Sequence, residues 1–253
     1  MIFASGFSWV SLLPGVWNDT LLSGIGVHMD TVPVLHSWLA AAVVILLAVV
    51  GRLSLEKARA RDGLARYEAD ATPTPRNIAE LFVETLTSVM GSVLSPKDIR
   101  AFFPLIGALF TYIFVSNVFG VFPGFLPPTD NANTNMGMAV IVFLTFNIVG
   151  IARAPVGYFK HMMGPVLFMA PLVFVIEIIS MFVRPFSLWV RLAGNIFGDH
   201  TVFGVMSGTV PYGIPAIFLG LAIFVSLVQA FVFSLLSTIY IGLAVPHTEH
   251  DHD

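Results

Sequence analysis

Apolar segments of membrane-spanning length, one of which contains several charges, constrain the fold of this chain more than any other feature of its sequence. The apolar run that begins near residue 165 is long enough to enter a bilayer, yet residues 177–200 contain two arginines, a glutamate, an aspartate and a histidine. A charged side chain at bilayer depth costs about 2.5–3.5 kcal/mol on insertion scales, and such residues usually face a partner or a polar path. We therefore interpret residues 177–200, here called the charged seam, as a functional segment.

The composition is typical of a polytopic membrane protein. Hydrophobic residues make up 57% of the 253 residues and charged residues only 11%, which is too apolar for a soluble domain of this length. No basic run alternates with aromatic residues, so nucleic acid is not an expected partner. The chain has no cysteine, which excludes disulfides, thiolate metal sites and cysteine nucleophiles.

The pattern predicts an all-α polytopic membrane protein, a single membrane domain over residues 1–253 with five membrane-entering helices and one amphipathic surface helix. The chain is expected to begin with an external N-terminal segment (1–33) and a first span (34–51), followed by a cytoplasmic loop with the amphipathic helix (52–100). A second and third span (101–152), a helical hairpin (153–245) and a cytoplasmic tail (246–253) complete the expected order.

The distribution of basic residues gives the expected orientation. Half of the twelve lysines and arginines follow the first span, at Arg52, Lys57, Arg59, Arg61, Arg66 and Arg76. Because basic residues favour the cytoplasmic flanks of membrane spans, we expect the N-terminus outside and, after five passages, the C-terminus in the cytoplasm.

The last two apolar runs are longer than a perpendicular crossing needs. One helix over roughly residues 165–206 would measure about 60 Å at 1.5 Å per residue, about twice the thickness of the hydrocarbon layer. Pro185 also removes a helical amide and favours a kink. We therefore expect a long, strongly tilted hairpin of two helices that lies along a partner.

Three charges of the seam share one face of a helix. Glu177, Arg184 and Arg191 are seven residues apart, and seven residues advance about 700°, only about 20° short of two turns. Asn195 lies one turn beyond Arg191 on the same face, whereas His200 lies about 180° around the helix. The arrangement indicates that the face with Arg191 and Asn195 and the face with His200 have different functions.

The charged residue types suit proton transfer. An arginine keeps its proton in a protein, so Arg191 favours the ionised form of a carboxyl group on a partner and blocks a leak. Histidine titrates near neutral pH, so His200 is suited to pass protons to that carboxyl group from outside. Structural alternatives stay open, because Glu177 and Arg184 form an internal ion pair in one interpretation. In another, Asp199 and His200 only cap the end of the helix.

The final helix carries a companion polar stripe. Ser226, Gln229 and Tyr240 lie within about 60° of one another on an ideal helix. Gln229 is the only amide side chain in this apolar run, and we expect it beside Arg191. Its alternative role is an interhelical hydrogen bond without further function.

Two weaker signals lie outside the hairpin. Asp130, in the expected external loop, lines an aqueous entrance in one interpretation and serves turn chemistry in the other. Asn117 is alone in the second span and is expected to make a packing hydrogen bond. The histidines of the tail indicate a solvated segment, so no metal site is expected.

Short motifs along the seam and the final helix carry a family resemblance. They read RPFSL at residues 184–188, RLAGN at 191–195, QAFVF at 229–233, SN at 116–117, VFPG at 121–124 and PPTDNANT at 127–134. Together they resemble subunit a of the F-type ATP synthase, over roughly residues 75–245.

The resemblance implies a non-catalytic stator subunit, without a cofactor, that couples proton flow to ATP synthesis through two offset half-channels in the bacterial inner membrane. It implies that Arg191 is the essential arginine facing the carboxylate of the rotor ring, with Asn195 and Gln229 as polar neighbours. The residues implied to line the half-channels are Glu177, Asp199 and His200. The implied partners are the rotor c-ring subunits, the peripheral-stalk b subunits, the remainder of the complex and membrane lipid.

Two positions depart from the family pattern. Many bacterial members have a glutamate at the position of His200 and a titratable residue at the position of Ala222. Without an acid at position 222, the outer half-channel must use other groups or water.

Two other functions compete with the stator. One is a stand-alone ion-coupled secondary transporter that binds an anionic substrate at Glu177, Arg184 and Arg191. Such transporters commonly have paired repeats, and the sequence has no evident repeat. The other is a structural membrane scaffold whose charges only pair internally.

Overall fold

The computed structural model describes residues 31–59, 74–122, 125–153, 155, 170–209 and 214–244. Throughout these residues the regular structure is helical, and five helices have the length and apolar composition needed to cross a membrane. The predicted all-α polytopic fold is confirmed. The predictions for the external N-terminal segment up to residue 30 and for the tail over residues 246–253 lie outside the described residues.

Six α-helices follow one another in the described part of the chain. Their bounds are α1 Thr31–Arg59, α2 Pro75–Gly91, α3 Pro96–Phe119, α4 Ala132–Arg153, α5 Ala170–Thr209 and α6 Ile214–Ala244, with a 3-10 turn at Pro128–Asp130 between α3 and α4. The five candidate spans lie in α1, α3, α4, α5 and α6. α1 extends beyond both ends of the predicted first span, residues 34–51.

α2 is the predicted amphipathic helix. Thr74 caps its first turn, because its hydroxyl accepts a hydrogen bond from the amide of Asn77. Pro75 fills the first helical position, where an amide has no helical partner. Leu86 and Met90 are buried on one face of α2. Its location at the cytoplasmic surface stays a prediction.

α5 is one continuous helix of 40 residues with Pro185 inside it. The proline therefore does not break the helix. At about 1.5 Å per residue α5 is about 60 Å long, about twice the hydrocarbon thickness of a bilayer. The strong tilt that this length implies stays a prediction.

The helices pack in an order that differs from their order in the chain. α3 packs chiefly along α6, and α4 packs chiefly along α5. α6 also lies against α4, and the backbones of α3 and α4 stay apart along most of their length. One buried apolar cluster consists of Leu109, Ile113, Met138, Ala139, Val142, Leu188, Leu192, Ala230 and Phe233. A second consists of Leu86, Met90, Leu94, Phe102, Ile106, Phe146 and Ile241.

Polar contacts join α3 and α4 at both ends of the pair. At one end, Arg153 in the last turn of α4 donates a hydrogen bond to the carboxylate of Asp98 in the first turn of α3. At the other end, the hydroxyl of Thr129 donates to the side-chain oxygen of Asn117 (2.6 Å). Asn135 donates from its side-chain nitrogen to the carbonyl of Thr129 (2.6 Å). These contacts fix the ends of two helices whose middles are separated.

Candidate functional site

The charged seam lies on a helix with one narrow buried line and a broad exposed face. Leu188 and Leu192 form the buried line, with exposed fractions of 1% and 0%, and they belong to the apolar cluster shared with α3, α4 and α6. The opposite face of α5 exposes Leu172, Val175, Ile176, Ile179, Phe182, Val183, Phe186 and Val190. α5 therefore uses little of its apolar surface within this chain.

Glu177 and Arg184 form an ion pair along α5. A terminal nitrogen of Arg184 lies 3.5 Å from a carboxylate oxygen of Glu177, and the two side chains are 25% and 27% exposed. The structure thus brings together two residues that the seven-residue spacing placed on one face. The carboxylate is partly accessible, so the pair does not seal it from a polar path.

Two neighbouring aromatic rings from other helices lie beside the guanidinium of Arg184. Its central carbon lies 5.8 Å from the centroid of the Phe146 ring on α4 and 5.7 Å from the centroid of the Tyr240 ring on α6. The two rings are themselves 6.3 Å apart. A cation at this distance from a ring face is attracted by the electron-rich face. Arg184 therefore interacts with side chains of α4, α5 and α6 at once.

Arg191 is exposed, in contrast to Arg184. It lies about 60° around the helix from buried Leu188, so it borders the buried line of α5. Among the residues that the structure describes, Arg191 has no hydrogen bond and no ion pair. The guanidinium is thus available to a group outside this chain.

Three seam residues have side chains outside the described ones. Asn195, Asp199 and His200 lie on the backbone of α5. Their side chains belong to the part of the chain that the structure does not describe. The expected neighbourhood of Arg191 and Asn195 and the expected outward position of His200 stay predictions.

In the polar stripe of α6, Ser226 and Gln229 are buried and Tyr240 is partly buried. Ser226 and Gln229 are 3% and 6% exposed. The hydroxyl of Ser226 donates to the carbonyl of Ala222 (2.7 Å), whereas the side-chain nitrogen of Gln229 is buried without a partner in the described part of the chain. No hydrogen bond joins Gln229 to Arg191 within that part. The structure therefore brings Gln229 into the helical core without pairing it with the arginine.

Asn117 and Asp130 flank the turn between α3 and α4. The side-chain oxygen of Asn117 accepts the hydrogen bond from Thr129, so Asn117 does make a packing hydrogen bond. Its side-chain nitrogen is buried without a partner among the described residues. Asp130 is exposed at the end of the 3-10 turn.

No group of three potential metal ligands occurs among the described histidine, aspartate and glutamate residues.

Comparison with known proteins identifies the family. The model of one protein family, the ATP synthase A chain, matches residues 34–242. The chain belongs to the ATP synthase A chain family.

Individual relatives agree with this assignment to the ATP synthase A chain family. An ATP synthase subunit a from Bdellovibrio bacteriovorus is 39% identical over 246 residues, which are 95% of this chain and 98% of that relative. ATP synthase subunit a 2 from Syntrophotalea carbinolica is 38% identical over 213 residues, 84% of this chain and 85% of the relative. An ATP synthase subunit a from Sorangium cellulosum is 42% identical over 177 residues, 70% of this chain and 69% of the relative.

Membership of the ATP synthase A chain family makes the chain a component of an ATP synthase, in which it acts with other subunits. Its five apolar helices make it a multi-pass membrane protein.

Sequence reasoning missed several polar residues of this family member. Asp98, with a side chain only 8% exposed, pairs with Arg153 across 55 positions of sequence. Thr129 and Asn135, both fully buried, link the turn to α3 and α4. A signal for the ion pair exists in the topology, because two antiparallel spans bring the start of α3 and the end of α4 to one side of the membrane.

Proposed function

We propose that the chain is the proton-translocating stator subunit of the membrane sector of a rotary F-type ATP synthase. In this role it provides two offset aqueous half-channels and presents Arg191 to the carboxylate of the rotor ring. Proton flow through the half-channels turns the ring and so drives ATP synthesis elsewhere in the complex. The chain itself is non-catalytic.

The exposure of Arg191 is the observation that carries this proposal. Arg191 lies inside the candidate span Pro171–Gly194, where an unpaired charge facing lipid costs about 2.5–3.5 kcal/mol. It has no partner in the described part of the chain. A carboxylate supplied by another subunit offsets this cost, and the guanidinium in turn favours release of the proton from that carboxyl group.

The exposed apolar face of α5 supports a large partner beside Arg191. This face continues the same helix that carries the arginine, and a ring of apolar helices with one carboxyl group each complements both features. An arginine that never deprotonates also separates the two half-channels, because it cannot pass a proton from one to the other.

The remaining polar residues of the seam and of α6 are assigned to the proton path. Asp199 and His200 serve the outer half-channel, and Glu177 serves the half-channel that opens to the cytoplasm. Asn195 and Gln229 are the polar neighbours of Arg191. The further polar positions of the path are Asn117, Asp130, Ser226 and Tyr240.

We also propose a location, an orientation and a set of partner subunits for the chain. It lies in the bacterial inner membrane with its N-terminus outside and its C-terminus in the cytoplasm. Its partners are the rotor c-ring subunits, the peripheral-stalk b subunits and the remainder of the ATP synthase.

Replacement of Arg191 tests the proposal. We expect Arg191→Ala to abolish ATP-driven proton pumping in inverted membrane vesicles, because the rotor carboxyl group loses the charge that drives its proton off. Pumping is measured by quenching of a pH-sensitive dye, and assembly by the amount of chain that co-purifies with the other subunits.

Arg100→Gln is the matched control, since Arg100 is an exposed arginine near the start of α3. Both variants should assemble, and only the control should pump. Normal pumping by Arg191→Ala in an assembled complex would contradict the proposal.

A further inference from the structure

We infer that Arg184 is a positioning residue for Arg191. Its guanidinium, which packs against the neighbouring rings of Phe146 and Tyr240, fixes the rotation of α5 about its axis and so the direction in which Arg191 faces its partner. This inference rests on the proposed function of Arg191 and assigns Arg184 a role apart from the proton path.

α5 has few contacts that determine its rotation. Only 6% of the residues in its most apolar stretch are buried within the chain. The leucines of the buried line contribute apolar contacts, which are largely non-directional. On the exposed side of α5, rotation replaces one exposed apolar residue by another at little cost, so only the buried leucines and the directed side-chain contacts oppose it. Directed contacts therefore add to the leucines in setting the rotation of α5.

Arg184 supplies contacts that do depend on direction. Its guanidinium lies within 6 Å of two ring centroids, 5.8 Å on α4 and 5.7 Å on α6. A cation is attracted to the face of a ring and not to its edge. Because the rings belong to two different helices, rotation of α5 in either direction moves the guanidinium away from at least one of them. The Glu177 carboxylate, 3.5 Å away, holds the same guanidinium from the preceding turns of α5.

The helix transmits this constraint to Arg191. The two arginines are seven residues apart, so their directions differ by only about 20° and their heights by about 10 Å. α5 is continuous between them in spite of Pro185. Any rotation of the helix at Arg184 therefore turns Arg191 by the same angle. Leu188, buried between the two turns, keeps this part of α5 against its neighbours.

Trp189 supports the same register independently. Its ring nitrogen donates to the carbonyl of Ala132 at the start of α4 (3.2 Å). This contact lies on the Arg191 side of Pro185, whereas Arg184 lies on the other side. The rotation of α5 is thus held on both sides of the proline.

The inference is tested by replacing Arg184 in the assembled ATP synthase. We expect Arg184→Gln, which removes the charge and both ring contacts, to lower ATP-driven proton pumping per assembled complex by about tenfold. Arg184→Lys keeps a cation beside the rings and the carboxylate and should restore about half of the pumping, because lysine makes weaker and less directed contacts.

Helix register is measured in the same complexes. The chain has no cysteine, so Phe143→Cys and Phe182→Cys introduce a unique pair at rings that stack across α4 and α5 at 5.7 Å. A short thiol cross-linker should join this pair efficiently beside Arg184 and at a several-fold lower yield beside Arg184→Gln. The cross-linked peptide is quantified by mass spectrometry.

Arg52→Gln is the matched control, because it breaks an exposed arginine–glutamate pair, Arg52 with Glu56 (3.0 Å), and should leave pumping and register unchanged. The inference is overturned if Arg184→Gln pumps at the normal rate, if it lowers pumping without changing the cross-linking yield, or if Arg184→Lys is no better than Arg184→Gln. Arg191→Ala in the same vesicles separates the two proposals. If it abolishes pumping, a normal Arg184→Gln overturns only the positioning role, whereas normal pumping by Arg191→Ala contradicts the proposed function itself.

Discussion

α3 and α5 contain candidate spans of the same length, 24 residues, and of equal mean hydropathy, but they are packed very differently. In the most apolar stretch of α3, 44% of the residues are buried within the chain, whereas in that of α5 the share is 6%. α3 belongs to the core of this subunit. α5 is attached to that core by a narrow line of leucines and a few polar contacts.

The difference shows that the hydropathy of a helix predicts an apolar environment but does not predict whether lipid, the same chain or another subunit provides it. Lipid tails are as apolar as leucine, so a helix that faces lipid, a helix that faces its own chain and a helix that faces another subunit have similar composition. The charges on α5 distinguish it, because Glu177, Arg184 and Arg191 lie beside the buried line and not within the exposed face. α3 is therefore part of the packed scaffold of the chain, whereas α5 lies on that scaffold with most of its apolar surface exposed.

The largest effect should come from equivalent truncations in the two helices. We expect Ile113→Ala in α3 to lower the free energy of unfolding by about 2 kcal/mol, because the cavity removes packing contacts in the buried cluster. Ile113 is fully buried there, whereas Ile179 on α5 is 57% exposed. Ile179→Ala should change the stability by less than about 0.5 kcal/mol. The measurement is the temperature at which this chain becomes sensitive to protease in the detergent-solubilised complex.

Equal effects at the two isoleucines would contradict the distinction between the packed helix α3 and the exposed helix α5. A fall in assembly for Ile179→Ala, with unchanged thermal stability of the assembled fraction, would sharpen it.

A smaller effect is expected where α6 meets the turn between α2 and α3. A β-carbon added at Gly242 would lie 2.5 Å from a methyl carbon of Val93, so Gly242→Ala should destabilise the scaffold by about 1–2 kcal/mol. Gly220 on the same helix has no atom within 4 Å of such a β-carbon. Gly220→Ala should therefore be neutral or stabilising by up to about 1 kcal/mol, through helix propensity. Proteolysis during heating again reports the difference, and a stable Gly242→Ala variant would mean that Val93 or α6 shifts readily to make room for the added methyl group.

The smallest effect concerns the attachment of α5. Trp189→Phe keeps an aromatic ring but removes the hydrogen bond to Ala132, which should cost about 0.5–1 kcal/mol. Trp38 on α1 is 71% exposed, and Trp38→Phe serves as the control. The Phe143→Cys and Phe182→Cys cross-linking yield measures the result, since loss of the bond loosens α5 from α4 without unfolding the scaffold. An unchanged yield would mean that α5 does not depend on this contact.

The helices could be predicted from the sequence because their signals are local. Each signal lies within a single segment: the amphipathic period of α2, the length of the apolar runs, and the prolines at the starts of α2 and α3. Even the ion pair of Glu177 with Arg184 follows from a spacing of seven residues on one helix. The effect of Pro185 was less predictable, since a proline favours a kink but α5 continues through it.

The contacts between helices could not be predicted, because periodicity defines a face but not what lies opposite it. The rings beside Arg184 come from α4 and α6, about 40 and 56 positions away. The expected position of Gln229 beside Arg191 rested on two stripes without their relative positions; among the described residues no hydrogen bond joins the two, and their proximity stays a prediction. Asp98 and Arg153 lie 55 positions apart on two different helices, and only the packing of α3 with α4 joins them.

The position of α6 against both α3 and α4 has a consequence for biogenesis. During synthesis α6 leaves the ribosome after the other five described helices, yet it supplies Ala230 and Phe233 to one apolar cluster and Ile241 to the other. A nascent chain that stops before residue 214 therefore lacks the α6 residues of both apolar clusters. Completion of translation thus coincides with closure of the scaffold. Chains that lack α6 should therefore be more sensitive to protease than complete chains, because both clusters are incomplete.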